Sequence, residues 1–154
     1  MAKAKDHLAL ANKNQQALDY LIEKADKFPE WVCITAFYKA VQVAEAMFVH
    51  DNGRNCHDHG NRLRRLKTGK YQALYKHFRV LWSASTVARY LEDNDENGGT
   101  YSSFSDYMQP FEVTDKIVVK RLITFEGLTL QFLSDQMQGE LNRARVQKSA
   151  LNSN

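Results

Sequence analysis

Apolar residues recur every three or four positions along almost the whole chain, a spacing that belongs to helices. In the first segment Ala4, Leu8, Ala11, Gln15, Leu18, Ile22 and Ala25 share one stripe, with lysines and acids on the other face. Pro29 cannot continue that helix but suits the first turn of the next one, which the spacing carries over 29–49. There Cys33, Phe37, Ala40, Ala44 and Met47 form a stripe, Ile34, Val41 and Phe48 widen it, and Trp31, Tyr38 and Val49 extend it further round. A third helix is expected over 70–92 through Tyr71, Leu74, Phe78, Leu81, Ser85 and Ala88. A fourth opens with Thr114 as N-cap and runs to residue 145 through Ile117, Val118, Leu122, Phe125, Leu128 and Phe132. Residues 62–66 suggest a short helical turn between the second and third. Only 7 Gly and 2 Pro among 154 residues exclude collagen-like and low-complexity chains and speak against a turn-rich all-β fold. The expected fold class is therefore all-α: one antiparallel bundle of four main helices plus a short helical turn, a single domain over 1–148 with a disordered tail over 149–154.

Between the third and fourth helices, residues 93–112 follow no regular pattern. The first half, Asp-Asn-Asp-Glu-Asn-Gly-Gly, reads as mobile. The second half carries Tyr101, Phe104, Tyr107, Met108 and Phe111, which should pack on the bundle rather than stand in water. The second helix shows more apolar faces than one core can hold, so a homodimer burying Trp31, Tyr38 and Val49 is expected. Two cysteines make no disulfide framework, and Cys33 and Cys56 are expected to stay unpaired. No uninterrupted apolar run approaches the roughly 18 residues of a membrane span, and the N-terminus leads into a polar amphipathic stretch. A soluble cytoplasmic protein without membrane contact is the expectation.

Charge is unevenly spread. Residues 54–79 hold eight basic side chains against Asp58 alone, while residues 90–115 hold seven acids and no Lys or Arg. Such a basic segment can attract phosphate, or it can neutralise the acidic one across the fold. The motifs of phosphate-loop, dinucleotide-binding and serine-hydrolase chemistry are missing from the sequence, as is any Glu-x-x-His unit for a carboxylate-bridged metal pair. His50, Cys56, His57 and His59 gather near one loop, but they are too crowded for the spacing of a structural zinc site, so no metal or other cofactor is assigned.

Arg54 and His59 can do a different kind of work. An imidazole can take the proton from an RNA 2′-hydroxyl or return one to the leaving 5′-oxygen. A guanidinium can hold the scissile phosphate as its charge grows. The second helix (31–46, with Ala36, Tyr38, Glu45 and Ala46) resembles the second helix of small HEPN-domain proteins. His59-Gly60-Asn61-Arg62 is similar to the His-x-x-Arg segment that follows there, and Ser85-Thr86-Val87-Ala88-Arg89-Tyr90 is similar to the end of their third helix. The resemblance covers about residues 5–92. It implies a HEPN-like bundle that dimerises, acts in RNA processing, toxin–antitoxin systems or antiviral defence, and in catalytic members cleaves RNA without metal between two protomers. Arg54, Asn55 and His59 match the catalytic motif, with Arg62, Arg64, Arg65 and Lys67 as the accompanying RNA-binding cations. The alternative is a non-catalytic nucleotide- or protein-binding module, antitoxin-like or a complex subunit, in which the same loop recognises a partner and the histidines are structural.

Overall fold

A computed structural model describes residues 2–146; the tail expected over 149–154 lies outside the described residues. The first stripe forms α1 (Ala4–Ile22), which buries Leu8, Ala11, Gln15, Leu18 and Ile22 as the spacing requires, and His7 with them. Its start is closed by Asp6, whose Oδ2 accepts from Lys3 N at 2.8 Å. After a short turn, Pro29 opens α2 (Pro29–Asn52), three residues longer than the stripe implied. Gly53 ends it in the left-handed region, φ 76°, donating its N–H to Val49 O at 2.9 Å, a conformation that favours glycine. The helical turn expected over 62–66 is a full helix, α3 (His59–Lys67). A 3₁₀ turn, Gly69–Tyr71, leads into α4 (Gln72–Tyr90).

The bundle centres on α2, which packs against α1, against α4 and against the helices near the C-terminus. A run of rings marks that centre: Phe37 lies 5.4 Å from Phe78, and Phe78 5.8 Å from Phe125. One chain encloses nearly all of α2's apolar surface without a second copy. Of the three residues expected at a dimer contact, Trp31 alone is broadly exposed, at 56%, while Tyr38 and Val49 are half-buried. Among the described residues α2 is also long and apolar enough to cross a membrane, with interspersed polar residues that an uninterrupted-run criterion passes over; 72% of that stretch is buried inside the bundle. Both cysteines are buried, free thiols.

The segment after α4 folds back on itself through backbone hydrogen bonds. Leu91 ends the helix at φ 58°, and the chain then folds back. Tyr101 N donates to Leu91 O at 2.8 Å, Asp93 N donates to Gly99 O at 3.0 Å, and Glu92 pairs with Thr100. Gly98 is required there, since a Cβ would sit 2.4 Å from that of Asp93. A short helix, α5 (Phe104–Tyr107), then buries Phe104 and half-buries Tyr101, Tyr107 and Met108, as expected of the aromatic half. Phe111 stays out, 58% exposed.

The single helix expected over 114–145 is broken. A π-helical stretch, Thr114–Ile123, runs into α6 (Thr124–Thr129) and a 3₁₀ turn, Leu130–Phe132. Thr114 is buried within that run rather than capping it. The chain restarts at Ser134, whose Oγ accepts from Met137 N at 3.2 Å, to give α7 (Asp135–Glu140). Residues 141–146 then run without helix.

The reason for the break is a buried charge. Lys39, fully buried on α2, pairs with the fully buried Glu126 at 2.8 Å. Its Nζ also donates to Gln15 Oε1 at 2.6 Å and to Asn142 O at 2.7 Å. Glu126 Oε1 in turn accepts from Ala144 N at 2.7 Å. A continued helix would tie up those two backbone groups internally, and an ion pair removed from water needs every such partner. Burial pushes Lys39 down and Glu126 up, while their mutual attraction pulls each back toward the charged form. Among the described residues the fold is thus all-helical, with the Glu92–Thr100 bridge as its sole β pairing.

Candidate nucleic-acid interface

The loop between α2 and α3 is organised by a carboxylate on α2. Glu45 on α2 is 2% exposed. Its Oε1 accepts from Arg62 Nε at 2.7 Å, and its Oε2 accepts from Cys56 N at 3.0 Å and Asn55 Nδ2 at 3.1 Å. Asn55 Nδ2 also meets His7 Nε2 at 2.6 Å, and His7 Nδ1 meets Gln42 Oε1 at 2.8 Å. Since the Gln42 oxygen can only accept, the His7 proton belongs on Nδ1 and Nε2 receives the Asn55 amide. Three elements therefore converge on Asn55: α1 through His7, α2 through Glu45, and its own loop. Asn55 Oδ1 is buried without a partner.

His59 opens α3, where the Asp58 cap fixes the backbone: Asp58 Oδ1 accepts from Asn61 N at 2.7 Å. The imidazole packs among aromatic rings, 4.9 Å from Phe37, 5.7 Å from Trp82 and 6.3 Å from Tyr38. Its Nδ1 meets Arg62 Nη1 at 2.7 Å. A guanidinium only donates, so Nδ1 accepts and the ring proton sits on Nε2. Burial, then the charges of Arg62 and Arg89, push His59 down to about 4, against a smaller opposing pull from Asp58. The ring is neutral at pH 7 and offers an N–H.

This shift carries a pH dependence. Free histidine titrates near 6.5, so between about 6.5 and 4 the unfolded chain takes up a proton that the folded chain refuses. His59 therefore costs stability progressively as pH falls through that window and nothing further below it. Thermal midpoints measured from pH 7 to pH 4 should fall more steeply for the wild type than for His59→Asn, in which the amide oxygen replaces Nδ1 as acceptor. His77, also pushed down by burial, contributes equally to both proteins. Parallel curves would show that the ring is not held neutral.

The cations divide into two sets. Arg62, expected on the surface, is 9% exposed with its guanidinium committed to Glu45 and His59. Arg65 is half-buried: it donates to Arg54 O at 2.9 Å and lies 4.8 Å over the Phe48 ring. Arg54, Arg64 and Lys67 are exposed. Arg64 bonds Asn61 Oδ1, and Lys67 sits 5.3 Å over Tyr75. The Arg54 guanidinium has no hydrogen bond or ion pair among the described residues. Lys70 pairs with Asp51 at 2.6 Å beside the Tyr71 hydroxyl, which fastens the end of α2. The thiol of Cys56 is turned inside, and burial pushes it up. Among the described residues no three His, Cys, Asp or Glu side chains gather as metal ligands.

Spacing gave no signal for His7, Gln42 or Glu45 as parts of this cluster. His7 sits on the stripe with Ala4 and Leu8, where a buried histidine looks like any stripe residue. Comparison with known families, with curated proteins and with solved structures returns no match. The class is therefore set by the geometry alone: an all-helical protein with a carboxylate-centred polar cluster beneath an exposed basic edge.

Proposed function

We propose that the protein is a HEPN-like homodimer that engages RNA and cleaves it without metal through Arg54, Asn55 and His59. One observation supports this most directly. The Arg-Asn-x-x-x-His run is folded into a single unit on Glu45, with Asn55 and His59 held from beneath and the Arg54 guanidinium left unpaired at the surface. Arg54 would hold the phosphate, and Arg64, Arg65 and Lys67 would draw in the backbone. Asn55 keeps the loop in register. A phosphate beside His59 opposes the charges of Arg62 and Arg89 and raises the ring toward a working range. One imidazole cannot be base to the 2′-hydroxyl and acid to the 5′-oxygen in the same step, so two copies of the loop facing each other would share the roles.

The test is incubation of labelled RNA with the protein and a chelator. Attack by the 2′-hydroxyl on the adjacent phosphate, with the 5′-oxygen leaving, produces a 2′,3′-cyclic phosphate end. Sizing should give twice the single-chain mass, and a monomer at micromolar concentration would defeat the two-copy mechanism. Arg64→Ala with Lys67→Ala should leave turnover in place and flatten the dependence of log affinity on log salt. The loss is about 0.7 per phosphate contact for a single strand; an unchanged slope would put RNA elsewhere.

A second reading has its own support. In the free chain the His59 Nδ1 lone pair is occupied by Arg62 and the ring is held neutral, as suits a structural histidine in a non-catalytic nucleotide- or protein-binding module. Intact RNA after prolonged incubation, with binding retained, would select it.

A further inference from the structure

A groove of about 460 Å³ opens between the start of α2 and the end of α4, lined by Glu30, Trp31, Ile34, Ala88, Arg89 and Tyr90. That volume lies within the roughly 300–1,000 Å³ of small-molecule sites. Its walls are unusual for a protein surface. Trp31 from α2 is 56% exposed and Tyr90 from α4 is 64% exposed, while Ile34 and Ala88 supply an apolar floor. Two charged groups complete it. Arg89 is held in place, donating from Nε to Ser85 O at 3.2 Å and from Nη1 to Tyr38 Oη at 3.3 Å, and lies 5.1 Å over the Tyr90 ring. Its Nη2 has no partner among the described residues. Neither does the Glu30 carboxylate, although both groups line the same groove.

We infer that this groove is a purine-base subsite, with guanine as its preferred occupant. Trp31 and Tyr90 offer faces for stacking, which accepts any base. The polar pair discriminates. Guanine presents two adjacent donors, N1–H and N2–H, that a carboxylate accepts together, and two acceptors, O6 and N7, that a guanidinium meets bidentately. Adenine gives Glu30 a single amino donor, and the pyrimidines have no N7 for Arg89. The groove also adjoins the Arg54–His59 loop: Tyr38, which fixes Arg89, has its ring 6.3 Å from that of His59. The inference takes its place on a strand from the RNA reading above, but its base chemistry stands on these four side chains.

The experiment titrates GMP, AMP, CMP and UMP into the full chain, followed by intrinsic fluorescence and by amide shifts. GMP should bind tightest. Trp31→Ala should weaken all four roughly tenfold, given what stacking contributes per base, and Trp31→Phe should restore most of it. Glu30→Gln should lower the preference for GMP over AMP about tenfold, because it removes a charge-assisted acceptor, and should move the thermal midpoint by no more than the few degrees that one acid in the first turn of α2 contributes. If GMP binds with these dependences and RNA is never cut, the subsite stands and the nuclease reading falls. If RNA is cut with Arg54 dependence but without base preference, and Trp31→Ala changes nothing, the subsite falls and the nuclease reading stands. A dimer that Trp31→Ala dissociates without any nucleotide effect would assign the ring to a subunit contact and overturn the subsite.

Discussion

Replacing Lys39 with Met is expected to destabilise the protein by about 3–5 kcal/mol, the usual result of leaving one charge of a buried pair uncompensated. Both side chains are fully excluded from solvent and 2.8 Å apart, so Glu126 in the variant has no water to turn to. For a chain of this length the thermal midpoint should drop by roughly 6–20 °C. The deficit should depend on pH in a set direction. Without Lys39, burial holds the Glu126 carboxyl above its unfolded value, so the folded variant keeps a proton that the unfolded chain releases. Its stability relative to wild type is therefore greatest in acid and is lost as pH rises past about 4.5. Lys39→Met with Glu126→Leu should recover only part of the loss. The charges are gone, but Ala144 N–H, Asn142 C=O and the Gln15 amide lose the partners they have now. Urea or thermal melts placing Lys39→Met within 1 kcal/mol of wild type would mean that water reaches the pair.

The second large effect concerns turnover. On the nuclease reading, His59→Asn should reduce cleavage by about 10²–10⁴-fold, the range for loss of a positioned acid or base. RNA affinity should barely change. Asparagine is the informative replacement because it keeps an acceptor for Arg62 Nη1 where Nδ1 now stands, so the Glu45 cluster stays closed and the melting temperature at pH 7 should hold. Arg54→Ala should cost about 10²–10³-fold in turnover and weaken binding as well, since the guanidinium meets phosphate before the reaction and more strongly during it. The combination that sinks this assignment is specific: His59→Asn cleaving at the wild-type rate, or losing activity only in step with a lowered melting temperature.

What could be read from the amino acids follows the range of the interactions. Stripe spacing placed α1, α2 and α4 to within a few residues, because burial of one helix face is a local pattern. It failed beyond residue 129, where a good helical pattern yields to Lys39, a partner about a hundred residues away. The basic loop was legible as a cluster of cations, but not which of them face water. Arg62 and Arg64 sit two apart in one helix, where residues at that spacing point to nearly opposite sides of the axis, and only the position of Glu45 decides that Arg62 goes inside. Glu45 itself was legible as an acid on α2, but not its partners, which lie on a loop and on α3 that spacing cannot bring together. Likewise the fold-back of residues 93–99 was not legible, because it comes from backbone pairing and one close glycine contact rather than from any repeating side-chain pattern.

The Lys39 pair also sets an order of events at the ribosome. Chains emerge from the N-terminus at about 5–20 residues per second, so α1 and α2 are exposed several seconds before Glu126, Asn142 and Ala144 exist to meet them. During that interval the ammonium has Gln15 alone. A nascent chain stopped short of residue 126 lacks the carboxylate that pairs with Lys39 in the folded protein, so closing the early hairpin over that side chain costs either a stranded charge or its proton.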